Sequence, residues 1–257
     1  MWREVRLSRL IPAKHLRLPR EVLPYNNFML HDSNGNSVML LLKMGQREHM
    51  EQFRKGLLYM NTLSYFRGLD GDPARADRYE GLTHIFQPKD IVMTISAPGF
   101  GEITAGPKDL AGATTLSLNS ESCCNLFCLH AITTPVNGAL FPSEHEWFGD
   151  SVVLVLTAPD FLARVVAAAK ARTFAGKSGL VEYYDDDTYT GKLDKFKKSK
   201  RFIHQREYRI AIGSPGTDPL ILDIGDIAGI TSEVVSLCEA NNVFKFSEED
   251  ARAAGLS

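Results

Sequence analysis

Gln205 and Glu207 are the pair of side chains best placed by type and spacing to do chemistry. They sit in the stretch Phe202-Ile203-His204-Gln205-Arg206-Glu207-Tyr208-Arg209-Ile210. If that stretch is a strand, alternation turns Gln205 and Glu207 to one face and Arg206 to the other. An amide and a carboxylate presented side by side can hold one polar ligand. The plainer alternative is an edge-strand glutamate paired with Arg201, Arg206 or Arg209.

A second concentration of functional groups runs from Gly56 to Arg67. Tyr59, Tyr65 and Phe66 stand there beside Asn61, Thr62 and Ser64. Flat rings next to amides and hydroxyls can stack a heterocycle and hydrogen-bond its edge, or they can form an ordinary core corner with polar caps. A third is the basic run Lys192, Lys195, Lys197, Lys198, Lys200 and Arg201, interleaved with Phe196 and Phe202 just before Glu207. Such a run can track a phosphate backbone while its rings stack bases, or lie in water as a charged loop.

Other chemistries find less. His130, His145 and His204 are scattered and form no His-Glu-x-x-His pattern. Glu144-His145-Glu146-Trp147, Asp185-Asp186-Asp187, Asp70-Gly71-Asp72 and residues 77–81 offer acids for a cation, without the full calcium-loop pattern. No metal site is expected. Gly99-Phe100-Gly101 lacks the third glycine of a dinucleotide fingerprint, and no Walker sequence is present. Cys123, Cys124 and Cys128 crowd one segment far from Cys238, and the spacing of Cys124, Leu126 and Cys128 fits one strand face with buried reduced thiols.

Several elements must position these groups. Residues 38–44 read as a buried strand, 46–54 as a helix with Met50 and Phe53 on one face, and Gly56 as its terminating glycine. Residues 57–60 form a short strand, and 62–67 begin a helical turn. Residues 70–81 read as a loop and 98–112 as a glycine-rich connection. Strands are expected at 85–95, 114–118, 126–133, 152–156, 180–184, 208–212 and 220–222. A helix is expected over 159–172, a turn and helix over 224–241, and a terminal helix from 247. Residues 1–37, basic and holding Pro12, Pro19 and Pro24, read as an N-terminal extension to a single domain over 38–257.

The chain has 257 residues, 44% hydrophobic and 23% charged, which suits one large globular domain. Its net charge is −2, so any polyanion site must be local. The apolar runs are too short to span a bilayer and the N-terminus lacks a signal-peptide core, so a cytoplasmic protein with no membrane partner is expected. Strands are not regularly separated by helices, which favours a mixed α+β sheet sandwich over a doubly wound fold.

Three strings in order carry a family resemblance: Lys43-Met44-Gly45 through Phe53-Arg54-Lys55-Gly56-Leu57-Leu58-Tyr59-Met60-Asn61-Thr62-Leu63-Ser64-Tyr65-Phe66; Asp77-Arg78-Tyr79-Glu80-Gly81; and His204-Gln205-Arg206-Glu207-Tyr208-Arg209-Ile210. Over residues 38 to about 235 the chain resembles a family of largely uncharacterised bacterial proteins. In outline it is similar to ADP-ribosyltransferase-like toxins of phage-defence and toxin–antitoxin systems. The resemblance implies a split β-sheet sandwich with flanking helices, NAD as substrate, and a nucleic-acid acceptor, RNA or DNA. It implies Glu207 as the catalytic glutamate and Gln205 as its upstream partner. It implies a nicotinamide pocket of Lys43, Tyr59, Asn61, Thr62, Ser64, Tyr65 and Phe66, while the basic run just before Glu207 is expected to give acceptor contacts at Lys195, Lys197, Lys198, Lys200 and Arg201. An antitoxin and a chaperone are the implied partners. Lys43 stands where such enzymes usually carry Arg or His, and an ammonium lacks the planar fork of the one and the acceptor nitrogen of the other. Two other readings are a metal-dependent nuclease and a non-enzymatic partner-binding module.

Overall fold

A computed structural model describes residues 38–68, 77–97, 101–117, 124–133, 148–213 and 218–243. The expected N-terminal extension, the terminal helix from 247, Cys123, Asp70-Gly71-Asp72 and the Glu144–Trp147 acids lie outside these residues.

The elements are β1 (Val38–Gly45), α1 (Arg47–Arg54), β2 (Leu57–Thr62), α2 (Leu63–Arg67), β3 (His84–Phe86), β4 (Met93–Ala97), β5 (Gly101–Ala105), β6 (Thr114–Leu116), β7 (Asn125–Thr133) and β8 (Ser151–Val155). They continue with α3 (Ala158–Ala171), β9 (Ala175–Leu180), β10 (Glu182–Tyr184), β11 (Gly191–Lys192), β12 (Lys197–Ser199), β13 (Glu207–Gly213), β14 (Leu220–Asp223), β15 (Val235–Ser236) and α4 (Leu237–Val243). A 3-10 turn over Lys200–Gln205 leads into β13. The fold is mixed α+β with mostly antiparallel strands.

The largest sheet is organised around β7. On one edge β13 pairs with it antiparallel, from Glu207 opposite His130 to Ile212 opposite Asn125. The other edge is shared. β1 takes its far end, with Leu42 opposite His130, and β2 takes its start, with Asn61 opposite Leu126 and Thr62 opposite Asn125. Residues 127–129 of β7 therefore meet neither strand, and the sheet parts there. β8 and β15 extend it beyond β1, β14 beyond β2, and β9 beyond β13.

The sequence explains this arrangement. β1 and β8 are nearly unbroken apolar runs, and Leu41 and Leu42 are buried on opposite faces of one strand. One face carries the main core. Leu41, Phe127, Leu129, Tyr208, Ile210 and Ile212 meet Met50 and Phe53 of α1 and Phe161, Val165 and Ala169 of α3. The spacing of the α3 residues keeps them on one side of the helix. Phe53 stacks on Phe127 with ring centres 5.6 Å apart and meets the edge of Phe161 at 5.8 Å. Each such ring is worth about 1.5–3 kcal/mol on burial. Gly56 ends α1 at φ +86, and a Cβ there would lie 1.9 Å from the Gly225 carbonyl oxygen, so only glycine fits.

Several strands differ from expectation, among them the short β11, β12 and β15, the last of which interrupts the turn and helix expected over 224–241. β5 lies within the glycine-rich stretch 98–112, and β9 precedes the strand expected from residue 180. Neither shows apolar alternation: β9 reads Ala-Gly-Lys-Ser-Gly-Leu and is mostly exposed. Its strand conformation comes from the ladder with β13, with Tyr208 opposite Leu180 and Ile212 opposite Gly176. The expected strand at 180–184 is divided between the last residue of β9 and β10, which pairs with β12 in parallel.

Candidate active site

Gln205 is not in the strand. It is the last residue of the 3-10 turn, Arg206 then takes a left-handed conformation (φ 42, ψ 51), and β13 begins at Glu207. The pair still meets, through a third residue. Lys198 Nζ donates to Gln205 Oε1 and to Glu207 Oε1, both at 2.6 Å. The Gln205 backbone carbonyl faces His130 Nδ1 at 2.8 Å. A carbonyl only accepts, so this nitrogen carries a proton.

Glu207 is 8% exposed. Its Oε2 accepts from Arg209 Nε at 2.6 Å, and its backbone N–H donates to the Tyr183 hydroxyl at 2.9 Å. Arg209 sits two residues along on the same face and is 2% exposed. Its terminal nitrogens grip Glu80 as a fork, both bonds at 2.8 Å, and Nη1 also reaches the Lys195 carbonyl at 2.7 Å. Two acids and two bases thus share one buried cluster. Burial pushes the Glu207 carboxyl up, but Arg209 and Lys198 more than offset that and hold it down at about 2. Burial works against the charged form of Arg209 too, yet Glu207 and Glu80 raise its pKa well above the ordinary value.

A second set of acids adjoins the first. Asp77 accepts from the Tyr79 N–H at 2.9 Å and from the Ser199 N–H at 3.2 Å. Its pKa is raised, chiefly by burial. The Ser199 hydroxyl donates to Asp186 Oδ2 at 2.8 Å.

The same face of the sheet continues into an apolar cluster of Leu63, Cys124, Leu126, Phe196 and Ala211, against which Phe66 and Cys128 pack. Burial pushes the Cys128 thiol up to about 12, so it is no nucleophile at neutral pH. Thr62 caps α2 by accepting from the Tyr65 N–H at 3.1 Å. Tyr65 is 44% exposed and meets Phe66 edge-on at 5.5 Å. Ser64 is exposed on the same short helix, and Asn61 pairs with Leu126 in the ladder.

Other expected residues stand apart. Tyr59 lies on β2 opposite Ile221, and both are more than half exposed. Lys43 follows Leu41 onto the main-core face, opposite to Glu207. Its ammonium donates to the Cys128 carbonyl at 2.8 Å, within the stretch of β7 that β1 and β2 leave uncovered, and lies 4.4 Å over the Phe127 ring.

The basic run is not a uniform cationic surface. Lys198 is buried. Lys197 pairs with Glu182 at 2.8 Å, Lys200 with Asp185 at 3.9 Å and Arg201 with Asp186 at 3.3 Å. The parallel pairing of β10 with β12 brings the acidic run onto the basic one. Lys200 and Arg201 keep 64% and 67% of their side chains exposed, Lys192 is exposed as well, and Lys195 is half-buried.

Sequence reasoning named Arg209 only as a plain ion-pair partner, and Glu80 only within a matching string and among acids that could hold a cation. Their coupling across 129 positions leaves no local trace. Among the described residues, no group of three or more His, Cys, Asp or Glu is arranged to hold a metal ion. No helix among them is long and apolar enough to cross a membrane. Comparison with family models, curated proteins and solved structures gives no match for this chain.

Proposed function

We propose that the protein is an NAD-dependent ADP-ribosyltransferase that modifies a nucleic acid, RNA or DNA, with Glu207 as its catalytic carboxylate. The observation that carries this reading is a buried, ionised glutamate at the start of a central strand, on the sheet face that continues toward an exposed tyrosine. The parting of the sheet along β7 fits the split-sheet architecture of such enzymes.

A carboxylate offers about four acceptor positions, and one bond from Lys198 and one from Arg209 leave room for a ribose hydroxyl. As the bond from ribose C1′ to the nicotinamide nitrogen breaks, its electron pair leaves with nicotinamide and positive charge grows on the sugar. A fixed negative charge beside it stabilises that state more than the ground state. The acceptor nucleophile then bonds to C1′ and gives up its proton. Tyr65 and Phe66 offer rings for stacking the nicotinamide, with Thr62 and Ser64 shaping their helix. Lys200 and Arg201 supply exposed cations for the acceptor's phosphates. The family resemblance extends this reading to a cytoplasmic toxin of a phage-defence system, with an antitoxin and a chaperone as its proposed partners.

Nicotinamide release tests this reading, using purified protein with single-stranded RNA, single-stranded DNA or no acceptor. Glu207→Gln is expected to lower release by about 10²–10³-fold while the protein stays folded. Absence of release from folded wild type under every condition would sink the proposal and favour the partner-binding reading.

A further inference from the structure

We infer that Arg209 and Glu80 are positioning residues that fix the direction of the Glu207 carboxylate. The inference rests on the transfer reading for its functional meaning, and on geometry for everything else.

A guanidinium is planar, so holding its far edge fixes where Nε points. Glu80 holds that edge at both terminal nitrogens, and the Lys195 carbonyl adds a third bond. The remaining direction, along Nε–H, meets Glu207 Oε2. Lys198 holds the other oxygen differently, through a single ammonium on a flexible stem that it divides between Glu207 and Gln205. Oε2 is therefore the fixed side of the carboxylate. Oε1 is the side where a substrate hydroxyl can share or replace a donor.

Fold stability alone does not call for this arrangement. Arg209, Glu80 and Glu207 are all under a tenth exposed, and buried ion networks can often be replaced by apolar groups without loss of stability. A charge-balanced cluster around a carboxylate at a strand's first residue is what keeps that group ionised away from water. Glu80 lies in the segment 77–81, whose Asp77 is tied to Ser199, so it reaches Arg209 from outside the large sheet.

The test uses the full chain and two readouts. One is the pH profile of NAD cleavage, with kcat and KM separated. The other is the ¹³C titration of the Glu207 carboxyl, which needs no turnover. Glu80→Gln cannot hold the fork with two equal oxygens and is expected to lower kcat by about 10–100-fold with KM within about two-fold. Glu80→Asp keeps the bidentate acceptor and should recover part of the loss. Arg209→Gln removes the largest force lowering the Glu207 pKa, so its titration should move up from about 2 towards or past the ordinary 4.5. The acid limb of kcat/KM should move with it. Arg209→Lys serves if Arg209→Gln does not fold, with a smaller upward shift because the ammonium keeps the positive charge even though it cannot span both carboxylates. If folded variants leave the carboxyl titration and kcat unchanged and alter only Tm, the inference is overturned. If the titration shifts as expected but wild type cleaves no NAD, the positioning stands and the transfer reading fails.

Discussion

The two faces of β13 are built from alternate residues of one strand, yet they obey different physics. Tyr208, Ile210 and Ile212 enter the main core, where area removed from water does the stabilising and only the Tyr208 hydroxyl takes a polar partner, Ser178. Glu207 and Arg209 enter a cluster in which every charge depends on a named opposite. Removing part of the first face leaves a small cavity. Removing part of the second leaves an uncompensated buried charge. The comparison shows how one strand can be anchored by one side and keep a reactive group ready on the other.

The sharpest way to break the comparison is Arg209→Met against Ile210→Val. The first strands Glu80, leaves Glu207 to Lys198 alone, and should cost about 3–5 kcal/mol in denaturant unfolding. The second removes one methylene and should cost about 0.5–1.5 kcal/mol. Equal losses would mean that the charged face is held as loosely as an ordinary core.

Acid sharpens it next. The folded pKa of Glu207 lies below its ordinary value, so its stabilising contribution is complete above pH 4.5 and fades as pH falls towards 2. The size is about 3 kcal/mol. Thermal unfolding of wild type and Glu207→Gln followed from about pH 6 to about pH 2, which spans that window, should converge towards the acid end. Parallel curves would mean that the carboxylate is not held ionised by its neighbours.

The smallest effect is expected at the rim. Lys197 pairs with Glu182, whose side chain is 58% exposed, so Lys197→Met should change stability by less than about 1 kcal/mol. A loss several times larger would place the rim inside the cooperative charged cluster.

How much of this was legible in the sequence depended on how local each cause was. β1, α1 and α3 were readable because apolar spacing and the glycine after α1 act over neighbouring residues. Thr62 was readable as the start of a helical turn for the same reason. β9 was not, since its conformation comes from a ladder with residues some thirty positions later. Glu207 stood out through its neighbour Gln205, but the strand assumed for Gln205 is interrupted by the left-handed Arg206. The fate of Lys198 was hidden altogether. A lysine in a basic run reads as solvated, and only the turn over Lys200–Gln205 folds it back beneath Glu207.

The neutrality of the inner cluster bears on ionic strength. Glu80, Arg209, Glu207 and Lys198 sum to zero and lie beyond the reach of mobile ions, so added salt should leave the carboxylate as it is. Lys200 and Arg201 face water and enjoy no such insulation. Salt should therefore separate the two halves of the proposed reaction, weakening capture of a polyanionic acceptor while sparing cleavage of the nicotinamide bond.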